Sequence, residues 1–410
     1  GVSTSSSGKK DRTKVMDSSA TMSVLAVLLL VLAVAQPSGA DTPCYTRLFS
    51  FGDSLTDTGN FGFVFPNDTL APGLSLPYGE TFFHSATGRC SNGRLIVDFI
   101  AHALGLPLVT PYWSGKSVED FAHGANFAVA GATAMSPEFF WERGYSAADA
   151  DTVHLDMQMN WFRDLLHLLC PSDLSDCADM MNKSLFLVGE IGGNDYNSPL
   201  QSLMPFEMIR SFTPSVIDKI SSTITDLIGL GAKTLLVPGN LPIGCSPLYL
   251  TAYKSNKTKD YEPETGCIRW LNEFSQYHNK ILMDELEKLQ KLHPNVAIIY
   301  ADYYAAAMEI FVSPKHFGME DPLLACCGGA GPYGVSLAER CGQGEYNLCD
   351  DPQNYGSWDG IHPTEATNEA IANGLLRGPY TKPPISTTTN SCGRLSELFS
   401  SVEYKVIYNV

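Results

Sequence analysis

A serine, an aspartate and a histidine stand in this chain where acyl-transfer chemistry would use them. The apolar run Leu48-Phe49-Ser50-Phe51 leads into Gly52-Asp53-Ser54-Leu55, and a polar turn, Thr56-Asp57-Thr58-Gly59-Asn60, follows. That pattern puts the Ser54 hydroxyl where a strand gives way to a loop. Far downstream, Trp358-Asp359-Gly360-Ile361-His362-Pro363 sets a carboxylate three residues before an imidazole in a turn-forming segment. A serine hydroxyl becomes a nucleophile when a base takes its proton and an acid orients that base. Ser54, His362 and Asp359 are the expected nucleophile, base and orienting acid. The competing reading has Asp359 closing a turn or capping a helix that begins near Thr364.

Such a serine also needs donors for the oxyanion. Gly131, in Asn126-Phe127-Ala128-Val129-Ala130-Gly131-Ala132, lets a backbone N–H approach a ligand with no Cβ in the way. Asn194, in Gly192-Gly193-Asn194-Asp195, offers a side-chain amide after two glycines. The Ser54 N–H is the third expected donor. Asp53 is expected to hydrogen-bond locally and shape the turn. Arg89 and Arg94 could meet an acidic substrate group, but a solvated surface or anchoring of their loops is the favoured reading.

Apolar segments at Leu48–Phe51, Asn126–Ala130, Ser184–Gly189, Thr234–Val237 and Val296–Tyr300 read as strands. Helical periodicity appears at Ile96–Leu104, His154–Leu169, Phe206–Leu230 with a break at Pro214, Trp270–Leu292 and Thr364–Leu376. Strands alternating with helices predict an α/β protein with a mainly parallel five-stranded sheet covered on both faces. In such sheets a site forms at the carboxyl ends of the strands. Ser54, Gly131, Asn194 and Pro238-Gly239-Asn240 all follow strand ends and are expected to face one crevice.

The four blocks Phe51–Leu55, Asn126–Ala132, Gly192–Asp195 and Asp359–His362, in that order, resemble those of the plant GDSL esterase/lipase family within the SGNH hydrolases. The resemblance extends to Gly93-Arg94, to Pro238–Cys245 and to Cys326-Cys327-Gly328. It implies a flavodoxin-like three-layer α/β/α sandwich, with Ser54 as nucleophile, Gly131 and Asn194 as oxyanion donors, and Asp359 and His362 completing the triad. It implies hydrolysis of carboxylic esters through an acyl-serine intermediate. An acyltransferase delivering the acyl group to a sugar or metabolite alcohol would use the same triad, and a non-catalytic wall-binding or lectin-like protein is a third reading. The Gly-x-Ser-x-Gly motif is absent around Ser54. Rossmann and P-loop signatures are absent too, so no cofactor is expected.

Residues 1–21 are polar and read as sequence upstream of a start at Met16 or Met22, or as a leader n-region. Residues 22–40 read as a signal peptide, 41–382 as the hydrolase domain and 383–410 as a tail rich in Pro, Ser and Thr at its start. After cleavage no integral membrane segment is expected. The formal charge is −17, or −19 once the four Lys/Arg and two Asp/Glu of the leader are gone. A surface this acidic argues against nucleic acid as a partner. The expected partner is a small-molecule or polysaccharide-linked acyl ester.

The 11 cysteines all follow the leader, which in a secreted chain points to disulfides. Cys245 and Cys267 could close a short loop; Cys326, Cys327, Cys341 and Cys349 could pair among themselves. The odd count leaves at least one thiol free or paired between chains, and regular metal-type spacing is missing. Sequons at Asn67, Asn182 and Asn256 fit an extracellular or cell-wall glycoprotein. Aromatic-rich stretches at Phe61–Phe83 and Ser136–Tyr145 are candidates for the pocket lining.

Overall fold

The computed structural model describes residues 1–5, 8, 45–68, 71–145, 151–171, 177–336 and 338–385. The leader, residues 22–40, and most of the tail lie outside the described residues. Two compact units divide at Thr42 and Pro43, and everything below concerns Pro43–Val410.

Five parallel strands form the sheet: β1 (Arg47–Phe51), β2 (Gly124–Asn126), β3 (Ser184–Val188), β4 (Thr234–Pro238) and β5 (Ala297–Ala301). Four further short strands, β6 (Asp321–Ala325), β7 (Cys327–Gly328), β8 (Asn347–Leu348) and β9 (Tyr355–Ser357), make two small two-stranded sheets. A last strand, β10 (Thr381–Lys382), pairs antiparallel with β5 and extends the main sheet to six, beyond the five expected. Across the main sheet the order is β10-β5-β4-β3-β1-β2. The chain steps from β1 outward to β2, then crosses back to β3 on the other side of β1. That reversal opens a crevice at the carboxyl ends of β1 and β3, where open α/β sheets hold their ligands.

The strands alternate between two apolar layers. Phe49, Phe51, Phe186, Val188, Leu235, Val237, Ile298 and Tyr300 face one core. Leu48, Leu185, Leu187, Leu236, Ile299 and Ala301 face the other. Strand side chains alternate with period two, so runs apolar at every position must be covered on both sides. Helix α1 (Ile96–Ala103) packs on the second face. Helices α2 (Leu155–Leu169), α4 (Thr213–Gly229) and α5 (Arg269–Leu292) cover the first. The second face also takes α6 (Tyr303–Val312) and α7 (Glu365–Arg377). Helix α3 (Gly193–Gln201) starts in the crevice. The result is the expected three-layer sandwich.

Two element assignments change. The second strand ends at Asn126 rather than spanning Asn126–Ala130. Beyond it Phe127 and Val129 still donate to the Ser50 and Gly52 carbonyls, at 2.7 and 3.3 Å, while Asn126 Oδ1 accepts the Ala128 N–H and Nδ2 donates to the Thr56 carbonyl, so the chain runs on beside β1 without regular strand geometry. The stretch Phe206–Leu230 is two helices, Phe206–Ser211 and α4, because Pro214 sits in the first turn of the second, where a missing N–H costs nothing.

Candidate active site

Ser54 lies in a tight turn after β1. The N–H groups of Thr56 and Asp57 both donate to the Asp53 carbonyl, at 3.0 and 2.8 Å. Gly52 precedes it with φ 138°, and a Cβ there would stand 3.0 Å from the Glu190 carbonyl oxygen. Only glycine tolerates both. The buried Gln158 of α2 clamps this glycine: its Oε1 accepts the Gly52 N–H at 2.9 Å and its Nε2 donates to the Gly52 carbonyl at 2.8 Å.

His362 reaches Ser54 from the segment before α7. Its Nε2 lies 2.9 Å from Ser54 Oγ, and its Nδ1 lies 2.6 Å from Asp359 Oδ2. The other oxygen, Asp359 Oδ1, accepts the N–H groups of Ile361 and His362 at 3.1 and 2.9 Å. Asp359 does close a turn, but it does not cap the helix. Thr364 caps α7, accepting the Thr367 N–H. Burial opposes charge on His362, but Asp359, and more weakly Asp53, outweigh it and hold its pKa above the usual imidazole value. Burial likewise opposes charge on Asp359, yet His362 and the two N–H donors keep that carboxyl below its ordinary range. A carboxylate against Nδ1 fixes the tautomer that leaves Nε2 free to take the serine proton.

The three oxyanion candidates converge on this pair. Gly131 adopts φ 80°, and no atom would meet a Cβ there, so its backbone borders open space. Among the described residues, neither the Ser54 N–H nor the Gly131 N–H donates to another protein atom. Asn194 differs. Its Nδ2 donates to Asp53 Oδ2 and to the Ala132 carbonyl, each at 3.0 Å. Both amide hydrogens are thus engaged at rest, and binding an oxyanion requires one of those bonds to be shared or exchanged. Reversing the amide would set its oxygen against the Asp53 carboxylate, so the orientation is fixed.

Buried aspartates brace the three loops against one another. Asp57 accepts the N–H groups of Gly59, Asn60 and Phe61 in its own turn and of Ala130, next to Gly131. Asp195, next to Asn194, accepts the N–H groups of Ala134 and Met135. Asp53 accepts the Leu55 N–H and, as above, the Asn194 amide. Its role therefore reaches beyond the local turn expected of it. Spacing along the chain carries no sign of these braces, because each joins residues about 60–140 apart.

Tyr78 is a residue the sequence did not single out. Its hydroxyl donates to Asp359 Oδ2 at 2.8 Å, and its ring packs edge-on against the fully buried Trp358. A lone tyrosine in a loop carries no motif, so nothing in the sequence could have found it. Arg89 and Arg94 are anchors. Arg89 makes two 2.8 Å bonds to Asp98, and Arg94 meets Glu365 at 2.6 Å.

Ser54, Gly131, Asn194, Asn240 and His362 all border one cleft of about 440 Å³, a size suited to a small organic ligand. Phe61 and Ala71 line it, in keeping with the stretch expected to do so. The stretch Ser136–Tyr145 does not. Its Phe139 and Phe140 turn inward and pack on Phe212. Further wall comes from the segment after β4, with Leu241, Ile243 and Tyr249, from Phe311 of α6 and Ile371 of α7, and from Arg340 of the segment between β7 and β8.

The same architecture has known relatives. A family model, the GDSL-like lipase/acylhydrolase, matches residues 48–375. The chain belongs to that family. It is 46% identical over 393 residues to the GDSL esterase/lipase At1g28600 of Arabidopsis thaliana, covering 95% of this chain and 97% of that one. It is 48% identical over 373 residues to GDSL esterase/lipase At1g28590 of the same plant, covering 90% and 91%. The sinapine esterase of Brassica napus is 45% identical over 355 residues, covering 86% of this chain and 90% of the relative. This GDSL protein is accordingly a carboxylic ester hydrolase.

Among the described residues, disulfides join Cys170 to Cys177, Cys245 to Cys267, Cys326 to Cys349 and Cys327 to Cys341. Two of the expected groupings are thereby realised, and Cys170–Cys177 is added. Cys90 is a free, buried thiol at the cleft wall. Burial, then the charges of Asp359, Asp57 and Asp53, push its pKa far up, so it is a poor nucleophile.

Proposed function

We propose that this chain is a secreted glycoprotein esterase in which Ser54, His362 and Asp359 form the catalytic triad. The observation that carries the reading is the hydrogen-bonded line from Ser54 Oγ through His362 to Asp359, at 2.9 and 2.6 Å. Ser54 attacks the ester carbonyl as His362 takes its proton. The N–H groups of Ser54 and Gly131 and the Asn194 amide hold the oxyanion. His362 then protonates the leaving alcohol, and the acyl-Ser54 ester remains. A water deprotonated by His362 releases the acid and restores the serine.

The substrate we assign is a small ester with an apolar or aromatic acyl group, in keeping with the wall of Phe61, Ile243 and Tyr249. Sinapine, named for one relative, is the first ester to try. Secretion agrees with the disulfides and with the exposure of Asn67, Asn182 and Asn256. Among the described residues no helix is long and apolar enough to cross a membrane.

The test is a panel of acetyl, feruloyl, sinapoyl-choline and longer acyl esters run on the parent and on Ser54→Ala. Loss of about 10⁴ or more in kcat is expected. A Ser54→Ala protein that hydrolysed them at the parent rate would overturn the triad assignment. Analysis of the products with an alcohol present separates release of free acid from acyl transfer.

A further inference from the structure

Glu190 follows β3 and lies in the turn that opens α3, four residues before Asn194. It is 4% exposed, and the Asp53 beside it is 3% exposed. Both border the same cleft, and the two carboxyl groups lie close enough for one to hydrogen-bond the other. Among the described residues no lysine or arginine pairs with either. Glycine at 193 makes the room: a Cβ there would stand 2.9 and 3.0 Å from the two Glu190 oxygens.

Two carboxylates in hydrogen-bond contact need a proton between them, since neither anion can donate. Asp53 already accepts two N–H donors, from Leu55 and from the Asn194 amide, and faces His362. Glu190 lies against Gly193, while its Oε1 is buried without any donor. The donors stabilise charge on Asp53, so the proton belongs on Glu190.

We propose that Glu190 is a neutral hydrogen-bond donor to Asp53 and, through it, a positioning residue for the oxyanion donor Asn194. The chain of contacts is Glu190 to Asp53, Asp53 to the Asn194 amide and to the Leu55 N–H beside the nucleophile. Asp53 serves both the turn that carries Ser54 and the amide that faces the substrate, and Glu190 holds it in place from behind. This rests on the reading of Ser54 and Asn194 given above. In support, burial and then the neighbouring Asp53 charge push the Glu190 pKa well up, whereas Asp53 rises only to about 6. The other titratable groups facing the pair are Asp195, His362, Cys90, Tyr196 and Tyr303.

A glutamine keeps a donor where the protonated glutamate has one; methionine keeps the bulk and loses the donor. In Glu190→Met, kcat is expected to fall about 10–100-fold with little change in KM, because an oxyanion donor serves the transition state. Glu190→Gln is expected to recover most of that loss. In the parent, activity declines at alkaline pH as Glu190 ionises beside Asp53, and that decline is absent in Glu190→Gln. The infrared band of a protonated carboxylic acid, present in the parent at neutral pH, is expected to weaken in Glu190→Gln.

Equal damage in both variants, or an unchanged infrared band and alkaline limb in Glu190→Gln, would overturn the proposal. Full activity in Glu190→Met would as well. If Glu190→Met does not fold, the Glu190→Gln profile and spectrum decide alone. Ser54→Ala runs alongside: activity there refutes the triad, whereas an inactive Ser54→Ala with a fully active Glu190→Met refutes only the role of Glu190.

Discussion

At the scale of residues, the site depends on which hydrogen bonds change between rest and reaction. The Asn194 amide is committed to Asp53 and Ala132 at rest. Asn194→Ala is expected to lower kcat about 10²–10³-fold with KM nearly unchanged; a larger effect on KM than on kcat would show that Asn194 binds substrate instead. His362 must be neutral to act as base. Its pKa lies above the usual value of about 6.5. Activity is therefore expected to rise with pH to a midpoint above that value, read from kcat/KM against pH. Tyr78→Phe removes one donor from Asp359 Oδ2. The carboxylate then presents more charge to His362, so this limb should move to higher pH. A shift downward would contradict the Tyr78 contact.

At the scale of elements, the proposed triad is built on pieces that other elements must hold. Asp359 follows Trp358, which packs with Tyr78, Cys326, Cys327 and Cys341 in a small separate core. The Cys326 and Cys327 N–H groups donate to the Ser357 and Trp358 carbonyls at 3.0 and 2.7 Å. The two disulfides of this insertion thus sit against Asp359, the acid of the proposed triad. Cys327→Ser with Cys341→Ser is expected to cost about 2–4 kcal/mol of stability and to lower activity below the unfolding temperature. Calorimetry and assay of the same sample measure both. Unchanged activity in a destabilised protein would show that the insertion does not hold the Asp359 turn. Much of this level was legible beforehand. The five apolar runs were sheet strands, and the long helices fell within a residue of their periodic limits. The end of β2 was not legible, because the Asn126 side chain ties Ala128 and the distant Thr56 into an irregular stretch that still bonds β1 through Phe127 and Val129.

At the scale of the whole molecule, buried carboxyls and net charge act together on stability. Burial pushes Asp195 up to about 7, against N–H donors from Ala134 and Met135. Asp53 is pushed up to about 6. A carboxyl whose folded pKa is raised contributes most below its unfolded value and loses that contribution as pH climbs to the folded one. His362, also raised, loses its contribution as pH passes its folded pKa. Asp359, held low, acts in reverse and loses its contribution as pH falls below the ordinary carboxylate range. Self-repulsion at a formal charge of −17 also grows with pH. The Tm is therefore expected to fall between about pH 5 and pH 8, with added salt restoring part of it. A Tm rising through that range would show that these groups do not govern stability.

The sequence by itself determined which atoms are the candidates for the chemistry. The four blocks named Ser54, Gly131, Asn194, Asp359 and His362, and short continuous apolar runs placed three of them at strand ends. It did so because local spacing records strands, turns and glycine. Only the tertiary structure decided what surrounds those atoms. Tyr78 on Asp359, Gln158 on Gly52 and Glu190 behind Asp53 are buried contacts between loops brought together by the crossover around β1. A polar side chain in a loop looks the same in sequence whether it faces water or a buried carboxylate. Its partner is chosen by the folded sheet.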